Sequence, residues 1–331
     1  MLTALAKLMD HPAFSAPPPP CVDDIPDVEA RRAALWKRRQ EIEAAFLHTK
    51  GDENSHFHWT MTLLLRTIKY SLKLTGLWAR GRRNARQVHL REVTWSHPAL
   101  PHALDGLTLL HLADFHYRRG DAKFAEAVRT LLAGVEVDLC LMTGDYRFGH
   151  LGPFDHVQQN LEALFQKMTV RHGSFAILGN HDVTPMASAF PDIGVRLLYN
   201  EGVEVRIRDT PVWIGGTEDS HIMRSSDVQA ALHGRPEERF TILLSHTPED
   251  IDIAERSGCD VYLCGHTHGG QIRLPLWGPV ISNAACAREH KHGVWRVGNM
   301  FGNTSAGLGT TDLPVRYNCP AEAHLITLRC G

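Results

Sequence analysis

The sequence predicts an α/β fold, and three observations carry that prediction. From Gln87 onward, short apolar runs alternate with longer segments of helical period, the texture of a layered sheet covered by helices. The composition, 43% apolar and 22% charged over 331 residues, suits one large globular unit with an appendage. Five of the apolar runs end in Asp, Asn or His, at the strand ends where α/β sheets gather their ligand-binding loops. A net charge of −2 excludes a global attraction to nucleic acid, and no nucleic-acid partner is expected. Seven scattered cysteines without a C-x-x-C pair argue against a disulfide framework or a thiolate zinc site, and for a reducing, cytoplasmic setting.

The elements follow in chain order. Met1 to Met9 is apolar but short and lacks a positive n-region, so no signal peptide is expected. Ala16 to Pro20, with four consecutive prolines, reads as a stiff linker. Val28 to Leu47 has a helical pattern, with Arg31, Arg32, Lys37, Arg38 and Arg39 expected on its surface. Gly51 to Ser55 reads as a loop. Between His56 and Trp95 eight basic residues (Arg66, Lys69, Lys73, Arg80, Arg82, Arg83, Arg86, Arg91) stand against one acid, Glu92. On a helical wheel Met61, Leu64, Leu65, Ile68 and Leu72 share a face flanked by Arg66, Lys69 and Lys73. Those charges exclude a transmembrane span. Two readings stay open: an interfacial amphipathic helix on an anionic membrane surface, or a helix docked on the main domain with a solvated basic edge. Residues 1–86 are expected to form an N-terminal helical extension, and 87–331 the main domain.

Strands are expected at Val88–Trp95, Leu107–Ala113, Val137–Thr143, Ser174–Leu178, Val203–Arg208, Val212–Gly215, Thr241–Leu244, Val261–Cys264, Gly293–Val297 and Ala323–Leu328. Helical periods fit Ala122–Leu132, Phe154–Met168 and Pro248–Ser257. The chemistry sits where five strands stop. They lead into Asp114-Phe115-His116, Gly144-Asp145, Gly179-Asn180-His181-Asp182, Ser245-His246 and Gly265-His266-Thr267-His268. Each piece alone is weak, since Gly-Asp is a common turn and a lone His after a strand is an ordinary polar residue. Their joint occurrence points to metal chemistry. Asp114 and Asp145 supply carboxylate oxygens, Asn180 an amide oxygen, and His116, His246, His266 and His268 imidazole nitrogens. This mixed N/O set suits Mn, Fe or Zn. His111 reads as a core or supporting histidine, and Cys140 and Cys264 as small core residues. Of Arg118, Arg119 and Arg147, all beside the motifs and able to grip phosphate, at least two are expected to be solvated.

In this order the motifs D-x-H, G-D, G-N-H-D, a solitary His and G-H-x-H resemble the calcineurin-like metallophosphoesterase superfamily. The segments Leu104–Leu107, Gly265–Pro275 and Leu313–Pro320 are similar to a bacterial membrane-associated subgroup that includes enzymes like UDP-2,3-diacylglucosamine pyrophosphatase. The resemblance covers roughly Val88 to Leu328. It implies two packed mixed β-sheets flanked by helices, and two divalent metal ions. One would be held by Asp114, His116 and His268, the other by Asn180, His246 and His266, with Asp145 bridging. It further implies that His181 stabilises the transition state or protonates the leaving oxygen, with Asp182 setting its tautomer. The implied activity is metal-dependent hydrolysis of a phosphoester or phosphoanhydride in a small-molecule or lipid substrate, at the cytoplasmic face of a membrane. A nuclease or phosphoprotein phosphatase on the same metals, and a non-catalytic binding module, are the competing readings. The chain departs from many relatives after Gly144-Asp145: Tyr146-Arg147-Phe148-Gly149-His150 contains no acid, which leaves a shared substrate contact in doubt.

Overall fold

Two six-stranded mixed sheets pack face to face. The computed structural model describes residues 27–49, 56–150, 152–280 and 284–331. The features expected at Met1–Met9, Ala16–Pro20 and Gly51–Ser55 lie outside the described residues. The first sheet contains β1 (Val88–His97), β2 (Leu107–Leu112), β3 (Leu139–Met142), β4 (Ser174–Ala176), β5 (Val195–Leu197) and β12 (Ala321–Cys330), in the order β1-β12-β2-β3-β4-β5. The second contains β6 (Glu201–Ile207), β7 (Thr210–Gly216), β8 (Thr241–Leu244), β9 (Val261–Cys264), β10 (Gly293–Val297) and β11 (Met300–Thr304), in the order β10-β11-β9-β8-β7-β6.

Strand alternation divides the core. Leu107, Leu109, Leu139 and Leu141 point between the sheets, where they meet Ile214, Ile242, Leu244, Val261 and Leu263. Their neighbours Leu110, Leu112, Cys140 and Met142 point outward, under helices α4 (Ala122–Leu132) and α5 (Asp155–Phe165). Asp121 caps α4, its carboxylate accepting from Phe124 N at 3.3 Å. On the far side of the second sheet, Trp213, Leu243, Tyr262 and Trp295 pack with α7 (Val228–Ala231) and α8 (Ile251–Arg256). The short α6 (Ala189–Asp192) leads into β5. Apart from the two-residue strands Thr169–Val170, Arg273–Leu274 and Gly278–Pro279, two strands among the described residues were not expected from the pattern, β5 and β11. The first is only three residues long. The second, Met-Phe-Gly-Asn-Thr, carries residues poor in strand propensity, yet Gly302 is where the Trp295 ring lies, and any Cβ there would collide with it.

The described part of the first 86 residues contributes three helices, α1 (Val28–Thr49), α2 (His56–Leu74) and α3 (Leu77–Asn84). The expected helix at Val28–Leu47 forms, but its arginines are not all on the surface. Arg39 is 0% exposed, because its guanidinium enters the main body between the Gly179–Asp182 segment and Glu218. Leu35 and Ile42 on the same face are buried too. Helix α2 behaves differently. Its main partner is α3, and Leu63, Leu64, Tyr70 and Leu74 are exposed, Leu74 at 88%.

Candidate metal centre

The parallel registers decide where the ligands meet. Leu112 stands beside Met142 and Met142 beside Ala176, so β2, β3 and β4 stop together. Leu244 stands beside Leu263, so β8 and β9 do the same in the other sheet. The five loops that leave these ends are laced by backbone hydrogen bonds: Asp114 N donates to Gly144 O at 3.0 Å, His116 N to Asp145 O at 2.9 Å, and Gly265 N to His246 O at 3.0 Å. Two glycines permit the close approach. A Cβ at Gly179 would strike the Asp145 carboxylate, and one at Gly265 would strike that of Asp114.

The seven side chains expected to hold metal converge, and all are buried. They form two groups. His116 Nε2 faces His268 Nε2 at 2.9 Å, and His268 Nε2 lies 3.6 Å from Asp114 Oδ1. Asn180 Oδ1 lies 3.0 Å from His246 Nε2 and 2.9 Å from His266 Nδ1. Between them, Asp145 Oδ2 is 3.4 Å from His116 Nε2 and 3.5 Å from His246 Nε2. Asp114, His116, Asp145, His266 and His268 all have positive φ, between 44° and 67°. Left-handed backbone at a non-glycine residue costs of order 1–3 kcal/mol and clusters at functional sites.

The donor set fits divalent cations. Imidazole nitrogens that face each other at 2.9 Å, and at 3.2 Å between His266 Nδ1 and His246 Nε2, can share at most one proton per pair. Lone pairs therefore converge in a space lined with carboxylates. Burial pushes His116 down to about 4 and holds His268 well below the usual histidine range. Burial and the neighbouring His246 likewise bring His266 down to about 4. These rings are neutral, as metal ligands must be. Burial opposes charge on His246 as well, but the Asp145 carboxylate outweighs it and lifts that ring to about 10. Without a cation, His246 thus supplies positive charge between buried carboxylates. Its Nδ1 lies 2.8 Å from Thr143 O, a contact that fixes the ring and leaves Nε2 facing the centre.

His181 lies at the edge of this cluster. Its backbone N donates to Asp145 Oδ1 at 2.8 Å, and its ring stands edge-on to His116 at 4.7 Å and flat against His150 at 4.4 Å. Asp182 does not do what was expected of it. Its carboxylate accepts from four backbone N–H groups: Asp145 and Gly179 at 2.8 Å, Tyr146 at 2.9 Å and Arg147 at 3.4 Å. His181 Nδ1 meanwhile has no hydrogen-bond partner. Asp182 is a staple between the two motif loops rather than the orienting partner of the His181 ring.

Residues 107–270 match the family model for calcineurin-like phosphoesterases. The chain belongs to that family. It is 32% identical over 232 residues to an uncharacterized protein of Bacillus subtilis, YpbG, covering 68% of this chain and 82% of that one. It is also 26% identical over 250 residues to an uncharacterized metallophosphoesterase of Bacillus subtilis, YkuE, covering 73% and 86% respectively. Against the phosphodiesterase YaeI of Escherichia coli it is 27% identical over 233 residues, covering 66% and 81%. As a calcineurin-like phosphoesterase the chain is a hydrolase that uses divalent metal ions on phosphorylated substrates.

Around the ligands, several placements complete or correct the sequence reading. His111 bridges the sheets, with Nε2 3.0 Å from Thr143 Oγ1 and Nδ1 2.9 Å from Asn303 Nδ2. It is a core histidine, as expected, and Cys140 and Cys264 are buried in the core. Among the three arginines only Arg119 is solvated. Arg147 is buried, and Arg118 is half-buried over the Phe148 ring, donating to the carbonyls of Thr310 and Thr311. Residues the motifs did not reveal also approach the centre. His221 lies 4.9 Å ring to ring from His266 and pairs with Glu249 at 2.6 Å. The buried Arg316 donates to the carbonyls of Ala306, Gly307 and Gly309 beside Asp114. His221 carries no local signature, its partner Glu249 lying 28 residues away, whereas Arg316 stands in the Leu313–Pro320 segment and grips carbonyls 7 to 10 residues before it.

Proposed function

We propose that this protein is a dinuclear metallohydrolase acting on a phosphoester or phosphoanhydride of an amphiphilic, membrane-borne substrate, such as a lipid-linked pyrophosphate. The observation that carries the dinuclear reading is the place of Asp145 Oδ2, 3.4 Å and 3.5 Å from one histidine of each donor group. Asp114, His116 and His268 would hold one ion, Asn180, His246 and His266 the other, and Asp145 both. When bound, such ions polarise phosphoryl oxygens and lower the pKa of water. The chain's own residues do the rest. The ligand loops fix two cation positions, burial excludes bulk water from the donors, and His181, at the rim, offers its ring to a phosphoryl or leaving oxygen. A pocket lined by His116, Arg118, Asp121, Arg86, Arg82 and Phe124 lies between His116 and α3; Arg86 pairs there with Asp121 at 3.0 Å, and Arg82 adds a further guanidinium suited to an anionic part of a substrate.

The same side supports the amphiphilic part of the proposal. Helix α2 leaves α3 with Leu63, Leu64, Tyr70 and Leu74 exposed beside Arg66, Lys69 and Lys73. The loop after the G-H-x-H motif adds Leu274, Leu276 and Trp277, the last 80% exposed. Tyr317 joins that loop to α3, its carbonyl accepting from Arg273 N at 2.9 Å and its hydroxyl donating to Leu77 O. Basic residues beside exposed apolar ones suit shallow insertion in an anionic bilayer, each contributing about 1 kcal/mol near the surface. Among the described residues no helix is long and apolar enough to cross a membrane. The test is a metal-by-substrate screen with p-nitrophenyl mono- and diesters, nucleotide-diphosphate sugars, lipid-linked pyrophosphates and DNA. Turnover of the lipid pyrophosphate only with added Mn, Fe or Zn supports the proposal. Preference for DNA would replace its substrate, and no turnover with any metal would overturn it.

A further inference from the structure

The N-terminal helix α1 lies outside the segment that matches the family model, yet it reaches the loop that carries Asn180 and His181. Arg39 Nη2 donates to Gly179 O at 2.7 Å and to Asp182 O at 2.9 Å, the two carbonyls that flank Asn180 and His181. Nη1 donates to Glu218, and Nε to Glu43 Oε1 at 2.9 Å. Glu43, one turn further along α1, accepts from Thr184 N at 3.0 Å and Thr184 Oγ1 at 2.9 Å. One helix therefore grips both ends of the segment Gly179–Thr184. Arg39, Glu218 and Asp182 are buried and the Glu43–Thr184 contact is part-buried; Arg39 is held charged by Glu218 and Glu43 against the cost of burial.

We propose that Arg39 is a positioning residue for Asn180 and His181, and that α1 is a working part of the hydrolytic site rather than an appendage. The proposal rests on the dinuclear reading above. Its physical basis is donor geometry. The segment 179–184 has no strand or helix to satisfy its carbonyls on this side, so a planar fork with five N–H donors does so, four of them in use here. Lysine, with three donors on one atom, cannot span two carbonyls and two carboxylates. Without the fork the segment keeps its chain direction but loses the restraint that aims the Asn180 amide at His246 and His266.

Two full-length variants test this: Arg39→Lys, and Arg39→Met combined with Glu218→Gln. The double variant removes both buried charges together, a change that is often neutral for stability. The readouts are thermal midpoint, amide hydrogen exchange across 179–184, Mn²⁺ binding by calorimetry, and kcat and KM on bis-p-nitrophenyl phosphate. Expected are exchange in 179–184 at least about tenfold faster with β2 and β3 unchanged, weaker binding of one of two Mn²⁺ ions, and kcat down about 10- to 100-fold with KM within about threefold. Wild-type exchange and Mn²⁺ affinity in both variants would overturn the proposal, as would exchange rising equally throughout the core. Should the double variant fail to fold, Arg39→Lys, which keeps the charge, decides alone. A wild-type protein that turns over nothing with any metal would defeat the hydrolase reading, while exchange and Mn²⁺ affinity would still judge Arg39.

Discussion

Replacing Asp182 by Asn tests what that carboxylate is for. The side chains have nearly the same shape, but Asn keeps one oxygen and turns an NH₂ toward backbone donors. Oδ2 of Asp182 now accepts from Asp145 N and Gly179 N at 2.8 Å each, while Oδ1 takes Tyr146 N at 2.9 Å and Arg147 N more weakly. Whichever way the amide turns, at least one strong bond to a charged acceptor is lost and its N–H is stranded. Such a bond contributes about 1.5–3 kcal/mol, and a stranded buried N–H costs about 1–3 kcal/mol. Relief from burying a carboxylate beside Asp145 offsets part of this. The expected loss is about 3 kcal/mol, read by urea unfolding at constant m-value. Activity should fall as well, since the same bonds set Asp145 against the Gly179 turn. The opposite result is well defined. If Asp182→Asn unfolds within about 0.5 kcal/mol of wild type and loses only turnover, the carboxylate acts on His181 and the staple is not what holds the loops.

Other outcomes follow from the same geometry. Asp145→Asn and His266→Ala should each lower metal-dependent turnover by about 100-fold or more, and elemental analysis of His266→Ala should show fewer than two ions per chain. Chelation should abolish turnover without unfolding the protein and lower its thermal midpoint; restoring metal at 100 times its Kd should return about 2.7 kcal/mol for each ion bound. A chelated protein with an unchanged midpoint would speak against metal at this site. Serine at Leu63, Leu64, Tyr70 and Leu74 together, all exposed, should leave the midpoint alone and weaken sedimentation with anionic vesicles about tenfold; unchanged sedimentation would remove α2 from the membrane proposal. Deleting residues 1–86 is a poorer test, because it also removes Arg39.

Most of the fold and the proposed ligands were legible because they are written locally. Each ligand follows an apolar strand by one to four residues, so pattern and chemistry appear in one window, and parallel pairing brings the windows together. What stayed hidden depends on long-range contact. Arg39 looks like any other arginine in a basic helix, and its partners lie 140, 143 and 179 residues away. Asp182 follows His181 in sequence, which suggested a tautomer-setting pair, but its carboxylate turns back to the amides of the preceding motif. Strand β11 was hidden because its Gly302 suits the Trp295 ring across the ladder rather than strand propensity.

The supporting residues explain how five left-handed residues of the proposed ligand set persist in one site. Strain of this kind lasts only where the surroundings over-determine the backbone. Here three buried side chains, all acting on main-chain atoms, do so from different directions. Arg316 gathers the carbonyls of Ala306, Gly307 and Gly309 at 2.6, 3.0 and 2.6 Å, pressing that loop against Asp114. Arg39 gathers those of Gly179 and Asp182, and the Asp182 carboxylate ties Gly179 to Asp145. None of these contacts needs a cation. On the proposal above, the donor groups are held by the fold's own contacts, and metal binding would spend little of its free energy on ordering the loops. That is why metal removal is expected to cost stability in proportion to occupancy, and not to melt the protein as it melts a small domain whose only core is its metal.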